Sequence, residues 1–549
     1  MGRVVLLPLV LVLGTVAGLG SYCEASDDTS LAWLFSGVLA LGPVPAVPLY
    51  FHGYGHGLAA AYAAWPGVPW LGGLLGGLLF GATALVFAVL DRLLRPWLRP
   101  ASLVLVLLVF FGVAWLEHWL WFSYVRVALT LAGAAVLYAA QRPTRRGALA
   151  IGLLGLGAAW LMRPSLAVVG FGAALPAALL LAGSWRRAAP LVLGAAAGLV
   201  LAYGAAAARR PPAETRAQVR DGYYARVLDF DQLRPQPRTP ADSLGTAALG
   251  LWLMGDATLV NEALCRRAYR FDAADFYGRE VPTKLRLRAG LLVRDYFPLL
   301  LALAATAAFK LRLKGAQGGF WLVQLGYVGA LAVFAGVLKL PPRLELPLLD
   351  FWLLTNLVFV LRPAASARNP AADGRLVAGP GSDFGPLWRA GGAAAAAVVL
   401  VYGAKTLHRR QVLGREQRRH ERAWAELSRL PGPRVRVLAG TNDLLKSLSP
   451  FRVYTPGPGP LLVLTGWPAH DPSQARLRQH LAGTPDQTEC LRRLTAPGRG
   501  TRWLLSAETA RWLNRRFRYG AQPGPAAVLR PAAGLAADST LRFYRPASR

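Results

Sequence analysis

The chain has 549 residues, of which 54% are hydrophobic and 16% are charged, and its formal net charge is +32. A soluble globular protein has about 25% charged residues, so this composition excludes an ordinary soluble protein and indicates a polytopic membrane protein. The basic residues are spread over loops and a tail, which argues against nucleic acid and favours anionic or phosphate-bearing lipids as partners. Three cysteines, Cys23, Cys265 and Cys490, are too scattered for a disulfide framework or a zinc site.

Apolar runs along the chain predict an all-α bundle of about 11 transmembrane helices over residues 1–404. The first run, 4–20, resembles a signal peptide but has no clear cleavage site after it, so we interpret it as an uncleaved span. The later runs are 68–90, 101–116, 119–140, 147–162, 166–184, 189–208, 291–309, 318–337, 346–361 and 389–404. In the first loop, 21–67, the apolar segments 30–41 and 51–65 predict short helices that lie in the membrane interface.

Basic residues mark the short loops that follow the even-numbered spans, such as Arg92 and Arg95 after the second and Arg186 and Arg187 after the sixth. The positive-inside rule therefore places these loops in the cytoplasm. The first loop, the long loop 209–290 and the C-terminal segment 405–549 are then predicted to be extracytoplasmic.

Asp27 and Asp28 follow the first span and form the only adjacent aspartate pair in the sequence. Two adjacent carboxylates hold a proton more tightly than one, so one of them could act as a general base on an acceptor hydroxyl. The other could bind a sugar hydroxyl or a divalent cation such as Mg²⁺ or Mn²⁺. The same residues also suit a helix N-cap before an apolar run, and one aspartate can cap a helix while its neighbour faces a cavity.

Three candidates on the same predicted face belong to the ends of later spans. Glu117 and His118 lie among tryptophans at the end of the third span, where they could assist in binding substrate or form an ordinary interfacial turn. Arg163, between the fifth and sixth spans, could pair with a lipid phosphate or extend to the interface as a snorkelling side chain.

Two further loops carry charged candidates. In the long loop, Arg226 and Asp229 are spaced i,i+3, so a helix would make them neighbours, either in a site or as a surface ion pair. Arg343 lies in the segment Lys339–Arg343 after the ninth span. With Arg163 and Arg226, it is a third candidate for binding the phosphate of a lipid-linked donor.

Carboxylates and arginines that converge on one face of a membrane bundle suit transfer from a lipid-phosphate donor. The arginines would neutralise the leaving phosphate, and a carboxylate would activate the acceptor. We therefore predict Asp27 and Asp28 as catalytic and Asp28 with Glu117 as metal ligands if a cation takes part. Glu117, His118 and Asp229 are predicted to assist.

The C-terminal segment 405–549 predicts a small α/β domain. Strand-like sequences cover Arg434–Leu438 and Leu461–Thr465, and Ser506 can cap a helix that runs to about Phe517. No nucleophile elbow, phosphate loop or metal-ligand spacing occurs in it, so we expect a lid, an acceptor-docking module or a partner-binding module.

An acidic pair after a first span, interface helices, further spans and an extracytoplasmic domain together resemble the GT-C superfamily of polytopic glycosyltransferases. Protein O-mannosyltransferases and lipid A aminoarabinose transferases are members. The opening is more similar to a group of uncharacterised bacterial members, through Asp27-Asp28, Ser36-Gly37, Ala61-Tyr62 and the segment from Pro66 to Trp70. Where better-known transferases carry a Lys-Pro-Pro-like motif, this chain has Val47-Pro48-Leu49 without lysine.

The resemblance implies a GT-C-like fold in a bacterial plasma (inner) membrane. It also implies an enzyme that moves a hexose or pentose from a polyprenyl-phosphate donor to a glycan, lipid or protein hydroxyl. Two alternatives stay open: a transporter or flippase, and a non-catalytic protein of envelope polysaccharide assembly. A transporter would favour charge near the membrane midplane and internal repeats, whereas here the charges cluster at one rim.

Overall fold

The structure is a computed structural model that describes residues 1–47, 53–312, 317–366, 385–429, 435–440, 443–457, 459–496, 498–519, 528–535 and 538–547. It is mostly helical, and its sheet lies in the C-terminal part. The predicted apolar helical bundle followed by a C-terminal sheet domain is confirmed at this level. The start of the predicted interface segment 51–65 lies outside the described residues.

The bundle and its loops contain α1 (Leu7–Gly18, preceded by a π-helical turn at Gly2–Leu6), α2 (Ser26–Phe35), α3 (Gly55–Ala64), α4 (Trp70–Leu94), α5 (Pro100–Phe110), α6 (Leu116–Leu120), α7 (Tyr124–Ala140), α8 (Arg146–Met162), α9 (Pro164–Ala182), α10 (Trp185–Ala208), α11 (Pro212–Leu228), α12 (Pro240–Gly250), α13 (Glu262–Ala268), α14 (Ala273–Asp275), α15 (Val281–Arg312), α16 (Gly318–Ala332), α17 (Pro342–Ser366) and α18 (Gly385–Arg429). The C-terminal helices are α19 (Pro472–Ala482), α20 (Gln487–Leu494) and α21 (Ala507–Arg518). The strands are β1 (Tyr22–Cys23), β2 (Trp121–Phe122), β3 (Leu233–Pro235), β4 (Tyr269–Phe271), β5 (Val435–Ala439), β6 (Leu461–Val463), β7 (Thr501–Leu505), β8 (Val528–Leu535) and β9 (Asp538–Ala547).

Within the described residues, seven helical segments are long and apolar enough to cross a membrane. They are Trp70–Leu94, Pro100–Leu120, Pro164–Ala182, Trp185–Ala208, Ala273–Arg312, Gly318–Val337 and Pro342–Leu361. The shorter apolar helices Gly2–Gly18, Tyr124–Ala140 and Arg146–Met162 have 10–17 residues. At 1.5 Å per residue such helices reach about 25 Å, less than the roughly 30 Å of a hydrocarbon core. Seven of the described helices are therefore candidate spans, and the predicted number of about 11 is not confirmed. The predicted span 389–404 lies partly outside the residues whose side chains are described.

Helix α7 forms the centre of the bundle. Nearly all its side chains are buried, as expected for a helix that is apolar on all sides. It packs against α4, α8 and α9, and also against α17. At Gly133 a Cβ atom would lie 2.1 Å from the ring of Phe351 in α17, so the close approach of these two helices requires glycine.

The C-terminal sheet has the strand order β6-β5-β7-β9-β8 in the described parts of the chain. Strands β6, β5 and β7 are parallel, and β9 and β8 continue the sheet in antiparallel fashion. Alternate side chains of β5 point to opposite faces, with Val437 in a core shared with α11–α13 and Leu438 in the core of the bundle. The sheet is thus packed between the long loop and the bundle, and α18 runs without a break across the predicted boundary at 404.

Several local predictions for the C-terminal segment are confirmed. The two predicted strands form at Val435–Ala439 and Leu461–Val463. Ser506 caps α21, because its Oγ accepts a hydrogen bond from the N–H of Thr509. Cys490 in this segment, like Cys23 and Cys265 outside it, is unpaired and buried.

The first loop lies between the bundle and the C-terminal segment. Strand β1 pairs in parallel with β2 at the end of α6, which fixes the chain just before the aspartate pair. The Cys23 N–H donates to the carbonyl of Leu448, and the Thr29 hydroxyl donates to the carbonyl of Leu445. After α2 the chain turns at Gly37, whose φ of +82° favours glycine. Contacts with the tail, more than 400 positions away, therefore position α2 and its two aspartates.

Candidate functional site

An open cleft lies where the first loop, the ends of several bundle helices and the C-terminal sheet meet. It has two adjoining chambers, and their shared wall includes Asp27, Asp229, Lys339, Arg343 and Trp467. The bundle-side chamber has an empty volume of about 1300 Å³ and is further lined by Val125, Arg163, Leu166, Asp221 and Leu344. The sheet-side chamber, of about 1350 Å³, is further lined by Glu24, Trp121, Trp252, Asp443, Lys446 and Thr465.

Asp27 is the aspartate that faces the cleft. It is the second residue of α2, lines both chambers and has a side chain that is 22% exposed. Its Oδ2 lies 4.0 Å from Nη2 of Arg343, which is an ion pair too long for a hydrogen bond. Within the described part of the chain, no hydrogen bond engages this carboxylate. Both oxygens can therefore accept a proton from a bound molecule while Arg343 compensates the charge.

Asp28 has a different environment, because it is buried and serves as a cap. Its Oδ2 accepts from the N–H of Ala25, the residue before α2, which is the half of a capping box that an acidic side chain supplies. Its Oδ1 accepts from the N–H of Tyr124 at 2.9 Å and from the hydroxyl of Ser123, so it also caps α7. The helix-cap interpretation thus describes Asp28, and the position in this cleft belongs to its neighbour Asp27.

The buried position of Asp28 predicts a stability that depends on pH. Burial raises the pKa of Asp28 from 3.8 to about 7, although the Tyr124 N–H and Arg343 oppose this. Since the folded state holds this proton more tightly than the unfolded state, the stabilisation is fully present below about pH 4 and is lost as the pH rises through about 7. Between about pH 5 and pH 7 we expect the free energy of unfolding of the wild type to fall by about 2 kcal/mol relative to that of Asp28→Asn. Thermal unfolding in detergent measures this difference. A difference that stays constant with pH would contradict the raised pKa.

Cationic side chains from two separate segments line the same chamber as Asp27. Arg163 lies between α8 and α9, and its Nη1 donates to the hydroxyl of Tyr124. Arg343 is the second residue of α17, and Lys339 precedes that helix. Nζ of Lys339 lies 2.6 Å from Oδ1 of Asp229. The structure therefore brings together the predicted residues Asp27, Arg163, Asp229 and Arg343, and it adds Lys339.

Arg226 does not take the position predicted for it. Helix α11 ends at Leu228, and Asp229 is its C-cap residue, whose N–H still donates to the carbonyl of Ala225. Nε of Arg226 donates to Oε1 of Gln232 at 3.2 Å, whereas Asp229 pairs with Lys339. Arg226 is not among the residues that line either chamber.

Glu117 and His118 lie inside the bundle rather than in the cleft. The Glu117 carboxylate is buried, accepts from the hydroxyl of Tyr402 at 2.8 Å and lies 2.7 Å from Nη1 of Arg409. Nε2 of His118 lies 2.8 Å from Oδ2 of Asp350, and both side chains are fully buried. The sequence allowed an interfacial turn with exposed charges. The structure instead buries both side chains in pairs with residues of distant helices.

The predicted metal ligands do not fit a shared cation. The oxygens of Asp28 accept from backbone and hydroxyl donors, and those of Glu117 face Tyr402 and Arg409, so the two carboxylates share no partner. In the described ranges, no three His, Cys, Asp or Glu side chains are grouped to hold a metal ion.

Three residues of the cleft, Lys339, Trp252 and Trp467, were not among the predicted site residues. Lys339 lies two residues before Pro341-Pro342 and lines the cleft. The resemblance to the better-known transferases would place such a lysine in the first loop, whereas Lys339 belongs to a later loop. Trp252 and Trp467 come from the long loop and the C-terminal segment, and their rings pack at 6.2 Å. A charged residue beside a proline pair could have marked Lys339, but nothing local marks the two tryptophans.

No family model, curated protein or solved structure matches this chain.

Proposed function

We propose that the protein is a membrane glycosyltransferase that moves a sugar from a polyprenyl-phosphate donor to an acceptor hydroxyl. The observation that carries this proposal is one cavity-facing carboxylate, Asp27, beside Arg343 in a cleft at the end of an apolar helical bundle. The GT-C resemblance of the opening sequence supports it. In this proposal the cleft is on the extracytoplasmic side of a bacterial plasma membrane, and the C-terminal domain lies on that side.

The reaction assigns a role to each group that faces the cleft. The oxygen of the acceptor hydroxyl attacks the anomeric carbon of the donor sugar, and Asp27 accepts the proton of that hydroxyl. The bond between that carbon and the phosphate oxygen breaks, and polyprenyl phosphate leaves with the bonding electrons. Arg343, with Lys339 and Arg163, stabilises the charge on the leaving phosphate. Attack from the face opposite the leaving group inverts the anomeric centre.

The bundle-side chamber suits the lipid part of such a donor. Its wall includes Val125, Leu166 and Leu344, which belong to helices of the bundle. Arg163 and Arg343 lie in the same chamber, so a phosphate held by the arginines would place its polyprenyl chain against apolar side chains. This combination of apolar wall and convergent cations favours a lipid phosphate over a soluble nucleotide sugar.

We expect Arg343→Gln to weaken binding of undecaprenyl phosphate about tenfold or more, because charge-assisted hydrogen bonds to phosphate are strong. Native mass spectrometry of the protein in nanodiscs measures the binding. Arg226→Gln is the matched control, since Arg226 lies outside both chambers, and its binding should equal that of wild type. Equal loss in both variants, or no loss in Arg343→Gln, would contradict a phosphate site at Arg343.

The buried pairs Glu117–Arg409 and His118–Asp350 favour a second candidate, a transporter. Ionisable groups inside a membrane bundle often mark ion or proton pathways. Substrate flux across proteoliposomes without change to the substrate would support this candidate. Release of polyprenyl phosphate from a labelled polyprenyl-phosphate sugar, together with a glycosylated acceptor, would support the transferase.

A further inference from the structure

We infer that the sheet-side chamber binds an uncharged carbohydrate chain as the acceptor, with Trp252 as a stacking platform. This inference deepens the proposed function, because it assigns the acceptor class of the same cleft. It rests on the tryptophans of this chamber, on the backbone conformation of Trp252 and on the charge balance of the chamber wall.

Three tryptophans line the sheet-side chamber, together with several polar and charged side chains. Trp121 comes from β2, Trp252 follows α12, and Trp467 follows β6. All three residues are partly exposed. Sugar rings present apolar C–H faces and polar hydroxyl edges, and an aromatic ring beside hydrogen-bonding groups matches both.

The conformation of Trp252 indicates that the surrounding structure holds its ring in place. Its φ is +59°, in the left-handed region that bulky residues rarely adopt. The N–H of Gly466 donates to the Trp252 carbonyl at 2.8 Å, and the two rings of Trp252 and Trp467 meet edge to face. Contacts between the long loop and the segment after strand β6 of the C-terminal sheet thus hold Trp252 in position. Carboxyl ends of parallel strands are a common place for ligand binding.

The charges of the chamber wall are matched, so no surplus attracts a charged acceptor. Nζ of Lys446 lies 2.6 Å from Oδ1 of Asp443, and Nζ of Lys339 lies at the same distance from Oδ1 of Asp229. The remaining carboxylates of the described wall also face cations: Glu24 faces Arg126, and Asp27 faces Arg343. By the same pairing, Asp221 of the bundle-side chamber lies 2.9 Å from Arg220. Arg163, which donates to the Tyr124 hydroxyl, is an additional cation of that chamber, so a phosphate suits the bundle side and an uncharged sugar suits the sheet side.

Asp27 connects the two chambers and explains the direction of transfer. It lines both of them, so a hydroxyl from the sheet-side chamber and an anomeric carbon from the bundle-side chamber can meet at one carboxylate. A polypeptide acceptor would need main-chain donors and acceptors along an extended groove. The tryptophan-lined wall offers stacking surfaces instead.

The test uses the full chain with the substitution Asp27→Asn, so that binding is measured without turnover. The protein in nanodiscs is applied to an array of neutral oligosaccharides, acidic oligosaccharides and Ser/Thr-rich peptides. We expect binding to neutral oligosaccharides, a loss of about tenfold or more with Trp252→Gly, and retention with Trp252→Tyr. Trp252→Gly should fold normally, because glycine adopts a positive φ without strain. Trp185→Ala, which removes an exposed tryptophan from the start of α10, is the control and should bind as before.

Binding of peptides or acidic oligosaccharides in place of neutral ones, or of no saccharide at all, would overturn the inference. Unchanged binding in Trp252→Gly would also overturn it. If neutral oligosaccharides bind through Trp252 but no polyprenyl-phosphate sugar is turned over by the wild type, the transferase proposal fails and the carbohydrate site stands.

Discussion

Asp27→Asn is expected to reduce sugar transfer by about 10²–10⁴-fold and to leave the protein folded, because removal of a general base costs that much. Asparagine has the size of aspartate but cannot take up the proton of the acceptor hydroxyl. Asp27 makes no hydrogen bond within the described part of the chain, so its loss should barely change stability. Transfer is measured in proteoliposomes from labelled polyprenyl-phosphate sugar to an oligosaccharide acceptor, and folding is measured by thermal unfolding.

Asp28→Asn separates catalysis from capping in the same helix. Its side chain accepts hydrogen bonds from two helix starts, so at about pH 5 this variant should lower the free energy of unfolding by about 1–2 kcal/mol and keep most of its activity when folded. Asp231→Asn, at a side chain that is 51% exposed and paired with Lys284, is a surface control. Full transfer by folded Asp27→Asn protein would eliminate Asp27 as the base.

The coarse architecture could be predicted because it follows from hydrophobicity. The apolar runs at 68–90 and 318–337 became helices of nearly the predicted bounds. The strand at Val435–Ala439 and the cap at Ser506 depend on local side chains and were also predictable. The span count was less predictable, because short apolar runs such as 147–162 form helices whose length alone does not show that they cross a membrane.

The aspartate pair shows where local sequence stops being informative. The sequence allowed either aspartate to be the catalytic residue and either to be the helix cap. It could not show which of the two residues has which role. The division depends on the start of α7, where the N–H of Tyr124 meets Asp28 from 96 positions away. A contact of that separation is set by how α2 packs against the bundle and the tail, and it leaves no periodicity in the sequence.

Glu117 and His118 show that local sequence also fails to predict whether a charged side chain is buried. Their position at the end of an apolar run suggested the membrane surface, where charge is easily tolerated. The structure buries them because Arg409 and Asp350, nearly 300 and more than 200 positions later, supply partners. A buried charge is stable only with its partner, so its burial is a property of the pair and cannot be inferred from either residue alone.

Arg409→Met is expected to destabilise the folded protein by about 3–5 kcal/mol, because it leaves the Glu117 carboxylate buried without its cation. Arg409 also lies 3.4 Å from Asp295 and 5.0 Å from the ring centre of Trp121, and these contacts would be lost as well. Unfolding in mixed micelles with increasing SDS measures the change. Arg415→Met, at an exposed position of the same helix, is the control and should change stability little.

The double variant Arg409→Met with Glu117→Leu tests whether the pair itself or the unpaired charge matters. Replacement of a whole buried pair by apolar side chains is often neutral, so the double variant should recover most of the stability that Arg409→Met loses. Recovery together with normal sugar transfer would assign the pair to the fold of the bundle. Recovery of stability with loss of substrate flux would instead assign it to a transport pathway, since a passive structural pair has no reason to affect movement through the bundle. Wild-type stability in Arg409→Met alone would show that Glu117 does not depend on Arg409 for its burial.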